Sequence, residues 1–288
     1  MDSLISVVVA TYNREDALGA VLRSLSRQTD RRFEVIVADD GSRAATREAV
    51  QAWKPRLSVS LKHVWHEDRG FRLAEIRNRS IVAAGGGYCI FLDGDCIARP
   101  DFVAAHRALA EPGHFVSGNR ILLSRLLSER ILHEGLEPEC WGLNRFLAHR
   151  WRGELNRVAP LIRLPLGPLR KIGGRRWLGV RGSNMAIFRA DLERVDGFDA
   201  EYTGWGREDS DLLVRLIRSG VRRKDGRFAT AVLHLGHPEA ERSELADNQA
   251  KLDLTLLGER SQALRGLSSL NATAPPDTST QNRAAAAR

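Results

Sequence analysis

Two aspartates, Asp93 and Asp95, stand two positions apart with Gly94 between them, at the end of the apolar run Tyr88 to Leu92. That spacing sends both carboxylates to one side of an extended chain, and the glycine lets another backbone come close. Hard oxygen donors so placed suit Mg²⁺ or Mn²⁺, and a cation held there could bridge a diphosphate and neutralise its charge as it leaves. A solvated turn uses the same residue types, so the pair by itself decides nothing.

A second acidic cluster, Glu208-Asp209-Ser210-Asp211, follows Gly204-Trp205-Gly206-Arg207 and opens the helical spacing of Leu212, Leu213 and Leu216. Carboxylates favour helix amino termini, which explains the run as capping. His234 and His237 stand at the end of an apolar stretch, where a histidine serves packing. Arg77 could bind oxygens with its planar fork or simply solvate a helix face.

The elements that must carry these groups alternate. Leu4 to Ala10 and Phe33 to Ala38 are continuous apolar runs suited to strands covered on both faces, the second stopping at Asp39-Asp40-Gly41-Ser42. Between them Ala17, Val21, Leu22 and Leu25 keep helical spacing. Val59 to Trp65 reads as a third strand, Leu73 to Ala84 as a helix and Tyr88 to Leu92 as a fourth strand. This order predicts an α/β fold with a mostly parallel central sheet flanked by helices, its ligands at the carboxyl ends of the strands. From Arg120 to Arg181 the pattern becomes amphipathic and basic, more insertion than sheet. Globular patterning returns with Asn184 to Phe188, a helix over Glu208 to Ser219 and an apolar stretch at Ala229 to Leu235. One domain over 1–260 and a disordered tail over 261–288 are expected.

A hydrophobic share of 43% suffices for one large core, and no run approaches the length of a membrane-spanning helix. Cys89, Cys96 and Cys140 form an odd set without CxxC spacing, which favours reduced thiols. A cytoplasmic protein is expected. The net charge of +8 calls for an anionic partner, and thirteen basic residues against five acidic ones place that excess at 120–181. Interleaved with leucines, Trp141 and Trp151, the insertion suits peripheral contact with an anionic membrane, at the inner face of the plasma membrane. A solvated helical face or acceptor-site lid has the same composition. Nucleic acid is not expected, because no aromatic–basic platform of known type is present.

Ala10-Thr11-Tyr12-Asn13-Arg14, Asp39-Asp40-Gly41-Ser42, Arg69-Gly70-Phe71-Arg72 with Arg77-Asn78, Asp93-Gly94-Asp95, Arg181-Gly182-Ser183-Asn184-Met185-Ala186 and Gly204-Trp205-Gly206-Arg207-Glu208-Asp209 occur in that order. The set resembles the family 2 glycosyltransferases over about residues 4–240, with a carboxyl-terminal motif like the GWGxED of galactosyltransferases. The resemblance implies a single GT-A domain that inverts the anomeric carbon while moving a hexose or N-acetylhexosamine from a UDP-sugar to a glycan or lipid-linked acceptor, in bacterial surface polysaccharide or lipopolysaccharide synthesis. It places Thr11, Tyr12, Arg14, Asp39, Arg77, Asp93 and Gly94 at the nucleotide-sugar, with Asp39 reading a uracil N–H. Asp95 and Asp93 become ligands of Mn²⁺ or Mg²⁺, with His234 the first choice for a third ligand and His237 the second. Asp209 becomes the catalytic base, Glu208 positions the acceptor, and Trp205 offers a sugar platform or packs its loop. A sugar nucleotidyltransferase is the nearest competing enzyme, but it should carry a glycine-rich basic loop where Thr11 to Arg14 stand. A noncatalytic sugar-nucleotide binder predicts binding without turnover.

Overall fold

The computed structural model describes residues 3–238 and 241–272. β1 (Ile5–Thr11) is buried along its whole length and leads through α1 (Glu15–Ser26) to β2 (Phe33–Asp39), equally buried. α2 (Ala44–Trp53), β3 (Leu61–Trp65), α3 (Leu73–Ala83) and β4 (Tyr88–Asp93) follow, as the apolar periodicity predicts. Then come β5 (Cys96–Ala98), α4 (Phe102–Leu109), β6 (His114–Ser117), β7 (Arg120–Leu122), α5 (Arg125–His133) and α6 (Leu143–Trp151). The chain finishes with β8 (Asn184–Phe188), α7 (Arg189–Arg194), α8 (Glu208–Arg218), β9 (Arg222–Asp225), β10 (Val232–His234), α9 (Leu245–Leu257) and α10 (Leu267–Ala272).

Seven strands form one sheet in the order β3-β2-β1-β4-β8-β6-β9. The first four are mutually parallel, while β8 runs against both β4 and β6. Side chains alternate between its two faces: Val7 and Val9 of β1 meet Leu18, Val21 and Leu22 of α1 on one, while Val8 joins Ile76 of α3 and Leu212 of α8 on the other. Both faces are therefore dry, which explains the unbroken apolar runs. A three-stranded sheet, β5-β10-β7, packs a third core against α5 and α6 through Ile97, Ile121, Leu233, Leu127 and Phe146.

Register aligns the polar ends. Thr11 lies opposite Asp39 and Ala10 opposite Asp93, so the strand termini share one rim. In the small sheet His234 pairs with Cys96, the neighbour of Asp95.

Two expectations shift. The stretch from Arg120 begins as sheet, because Arg120 to Leu122 pair with Val232 to His234. A short strand flanked by a helical leucine stripe has too little alternation to stand out. Residue 261 does not begin a tail: Leu264 and Arg265 N–H groups donate to Asp199, and Leu267, at the start of α10, is buried in the core on the side of α3. Residues 273–288, the remainder of the expected tail, lie outside those described. Among the described residues no helix is long and apolar enough to cross a membrane.

Candidate active site

Gly94 shows how the rim is built. Its N–H donates to the Ala10 carbonyl at 2.7 Å, and a Cβ there would stand 2.7 Å from that same oxygen. Only glycine lets β4 turn so close to β1 and leave Asp93 and Asp95 on either side of the bend.

Behind the rim Arg77 is 1% exposed. Its guanidinium donates to Asp93 Oδ1 at 3.1 Å, to Glu208 Oε1 at 3.2 Å and to the Gly182 carbonyl at 3.4 Å, and it lies over the Phe198 ring. The solvated-face alternative is thereby removed. The fork, expected at the donor's phosphates or the bound sugar, is held by two carboxylates from distant elements. Gly182 completes the junction: its N–H donates to Asp209 Oδ2 at 2.9 Å, and a Cβ there would meet Arg77 Nη1 at 2.9 Å.

α8 enters this junction through backbone strain. Arg207, at its N-cap, has φ of 78°, a left-handed conformation costly for a residue with a Cβ. The turn sets Glu208 inward against Arg77 and Asp209 toward Gly182, while Asp209 Oδ1 accepts the Ser210 N–H at 2.7 Å. Asp209 thus engages a first-turn N–H without capping its helix, and is half-buried at the rim, where its charge acts on Asp93. Burial pushes Glu208 up to about 7, with the charge of Asp209 adding to it and Arg77 opposing. Burial likewise raises Asp93, opposed by Arg77 and reinforced by Asp95.

On the other side of Gly94, Asp95 meets two imidazoles. His237 Nε2 is 3.1 Å from one carboxylate oxygen and His234 Nε2 is 3.5 Å from the other. Burial opposes ionisation of Asp95, but the His237 hydrogen bond and both histidines hold it below the usual carboxylate range. One ligand atom from each of the three side chains lies within 4.8 Å of the other two. One carboxylate oxygen with two imidazole nitrogens fits a divalent transition ion better than Mg²⁺. Both histidines reach this cluster, so the ranking of His234 above His237 has no basis in distance. Asp93 instead turns its Oδ1 to Arg77.

The other expected residues divide. Thr11 Oγ1 is buried without a hydrogen-bond partner among the described residues. Tyr12 is 47% exposed and donates to Asp68, and Arg14 pairs with Asp16. Asp39 is fully buried; one oxygen accepts the Ser42 N–H and the other contacts His63 Nε2, each at 2.8 Å. Its turn-shaping role is thus explicit. Trp205 carries the Arg242 guanidinium over one face and lines, with Phe71, a cavity of about 330 Å³.

Arg120 escaped the motif reading. The β7–β10 register puts it on the same face of the small sheet as His234, and its charge acts on Asp93, Cys96 and His234. Nothing local in the sequence marks it, because its place depends on pairing with a strand far along the chain.

The sequence matches the model of glycosyl transferase family 2 over residues 6–156, more than half of the chain. The chain belongs to that family. Residues 174–238 of this glycosyltransferase match a second model, described as the N-terminal domain of galactosyltransferase. It is 35% identical over 226 residues to validoxylamine A glucosyltransferase of Streptomyces hygroscopicus subsp. limoneus, covering 76% of this chain and 49% of that one. Against chondroitin synthase of Escherichia coli it is 30% identical over 233 residues, covering 75% of this chain and 32% of the synthase. The glycosyltransferase thus spans about half or less of the curated relatives it matches.

Solved structures show the same GT-A fold. A mannosyltransferase from Pyrobaculum calidifontis, in complex with GDP-Man and Mn²⁺, superposes with a TM-score of 0.56 at 19% identity, covering 100% of this chain and 80% of that one. TarS from S. aureus, in complex with UDP-GlcNAc, gives 0.57 at 15% identity over 88% of this chain and 66% of that one.

Proposed function

We propose that this glycosyltransferase moves a hexose or N-acetylhexosamine from a UDP-sugar to a hydroxyl of a glycan or lipid-linked acceptor, with inversion, in surface polysaccharide or lipopolysaccharide synthesis. The observation that carries the reading is the convergence of Asp93, Glu208 and Asp209 on Arg77 and Gly182, one residue away from the Asp95–His234–His237 cluster. A relative named a glucosyltransferase, another named a chondroitin synthase, and a fold relative holding UDP-GlcNAc support the sugar and the nucleotide.

Asp209 is the base: it takes the proton of the acceptor hydroxyl as that oxygen bonds to the anomeric carbon and the bond to the diphosphate breaks. A single displacement from the opposite face inverts that carbon. Glu208, held by Arg77, positions the acceptor, and Trp205 with Phe71 offers apolar surface for a sugar. Asp95, His234 and His237 would hold Mn²⁺, with Asp93 beside them; when bound, the ion supplies charge neutralisation to the departing diphosphate. Arg120 adds a fixed positive charge on the same side. Thr11, Tyr12, Arg14, Asp39 and Gly94 border the nucleoside.

The test is UDP release from a panel of UDP-sugars with Mn²⁺, with and without acceptor extracts. Asp209→Asn should bind UDP-sugar as wild type does and lose about 10²–10⁴-fold in kcat. Near-normal turnover by that variant removes the base assignment, and release of pyrophosphate from UTP and a sugar phosphate would make the chain a nucleotidyltransferase.

A further inference from the structure

The charge excess of this chain has a location in the fold. Residues 120–181 hold thirteen basic and five acidic side chains, an excess of eight that equals the net charge of the whole protein. Each of the five acids has a partner: Glu129 with Arg125, Glu134 with Arg130, Glu137 and Glu139 with Arg27 and Arg23, and Glu154 with His149. Arg150 and Arg152, at the end of α6, are exposed and pair with no carboxylate among the described residues.

α6 itself is amphipathic in an unusual sense. Phe146 and His149 face the core. Leu143, Leu147 and Trp151, spaced i, i+4 and i+8, form a second stripe on the outside, 48%, 47% and 93% exposed. Trp151 is thus almost wholly in water. The helical repeat puts Arg150 along one border of this stripe, and Arg152 follows directly after Trp151.

Isolated exposed leucines need no explanation, but a helical row ending in a bare tryptophan beside two unpaired arginines has a matching chemistry. An apolar row of this width inserts at the boundary between headgroups and acyl chains. Tryptophan prefers that depth, and arginines at its edge meet anionic headgroups while their stems stay in the apolar layer.

We infer that α6 is a membrane-docking helix, which seats the protein on an anionic bilayer through Leu143, Leu147 and Trp151 with Arg150 and Arg152 at the headgroups. The protein partner that could cover the same stripe, a second copy, has no such use for the bordering positive charge, since it would bring arginine against arginine.

The experiment uses the full chain and sedimentation with vesicles of phosphatidylcholine alone or mixed with phosphatidylglycerol. Wild type should bind the mixed vesicles, release with rising salt and leave the neutral ones unbound. Trp151→Ser with Leu147→Ser should lower partitioning by about tenfold or more, and Arg150→Ala with Arg152→Ala by about fivefold per arginine. Leu254→Ser with Leu257→Ser, on the exposed face of α9, is the control and should bind as wild type. All the replaced side chains are exposed, so unchanged thermal unfolding confirms that each variant is folded. Failure of wild type to bind mixed vesicles, or equal binding by wild type and both α6 variants, overturns the inference. So does a wild type that sediments as a dimer in the absence of lipid and becomes monomeric on Trp151→Ser. None of these readouts uses turnover, so they stand or fall apart from the proposed transfer reaction.

Discussion

Arg77 and Glu208, 131 positions apart in the chain, meet 3.2 Å from each other in a nearly dry pocket. The same guanidinium holds Asp93, so one side chain of α3 joins the end of β4 to the start of α8. Two carboxylates so close to each other would repel; the arginine makes their approach tolerable and fixes where each one points.

Removing that arginine leaves two acids without a counter-charge. Arg77→Ala should destabilise the protein by about 3–5 kcal/mol in urea unfolding, the range for breaking a buried ion pair. Arg77→Lys should recover part of this, because one ammonium cannot face both acids with the geometry of a fork. A loss below about 1 kcal/mol for Arg77→Ala would mean that the junction is hydrated and does not order the rim.

Much of the architecture was legible because the sheet is buried on both faces. β1, β2 and β4 announce themselves as apolar runs, and Thr11, Asp39 and Asp93, which end them, are forced onto one rim by parallel register. The Glu208–Asp209 pair was legible as the acidic start of a helix. What could not be read was which partner each polar group takes. Arg77 on a helix suggests solvent or a ligand, whereas packing turns it inward. Arg120 gains its place only through β10, and the docking of Leu267 depends on Asp196 and α3, which no local pattern around residue 267 encodes.

Mn²⁺ binding should follow the cluster at the end of β4. Asp95→Ala, His234→Ala and His237→Ala should each weaken binding by more than the roughly 10–100-fold typical of residues that only support a ligand. Loss of free-ion signal in electron paramagnetic resonance titrations measures this directly. Retention of wild-type affinity by His237→Ala would restore His234 as the only imidazole donor and return His237 to loop packing.

Acid stability should depend on His106. It is fully buried on the inner face of α4, touches Asn184 Oδ1 at 3.2 Å and has its pKa pushed down to about 3 by burial. The unfolded chain takes up this proton near the ordinary value of 6.5, well before the folded one does. Its stabilising effect is therefore complete above pH 6.5 and is lost as pH falls toward 3, at up to about 1.4 kcal/mol per pH unit. His106→Gln should flatten that part of the stability curve. An acid limb of unchanged slope would assign it to other groups.

Glu208 should show the opposite sign and a conflict between stability and activity. Its carboxyl is held at about 7 in the folded protein against an ordinary 4.5, so the folded state binds the proton more tightly than the unfolded one. Stability from this group is then present below pH 4.5 and is lost as pH rises through about 7, as the buried charge forms. Glu208→Gln keeps the shape and removes that charge. Relative to wild type it should gain stability at pH 8, by about 1 kcal/mol or more, and gain little at pH 5. Turnover should fall, because a neutral amide cannot hold Arg77 or an acceptor hydroxyl as a carboxylate does. Wild-type turnover should rise in a step near pH 7 as Glu208 ionises, and that step should be absent from Glu208→Gln. Equal unfolding curves for the two proteins at pH 8 would show that Glu208 ionises there without cost, and the pocket around Arg77 would have to be wet.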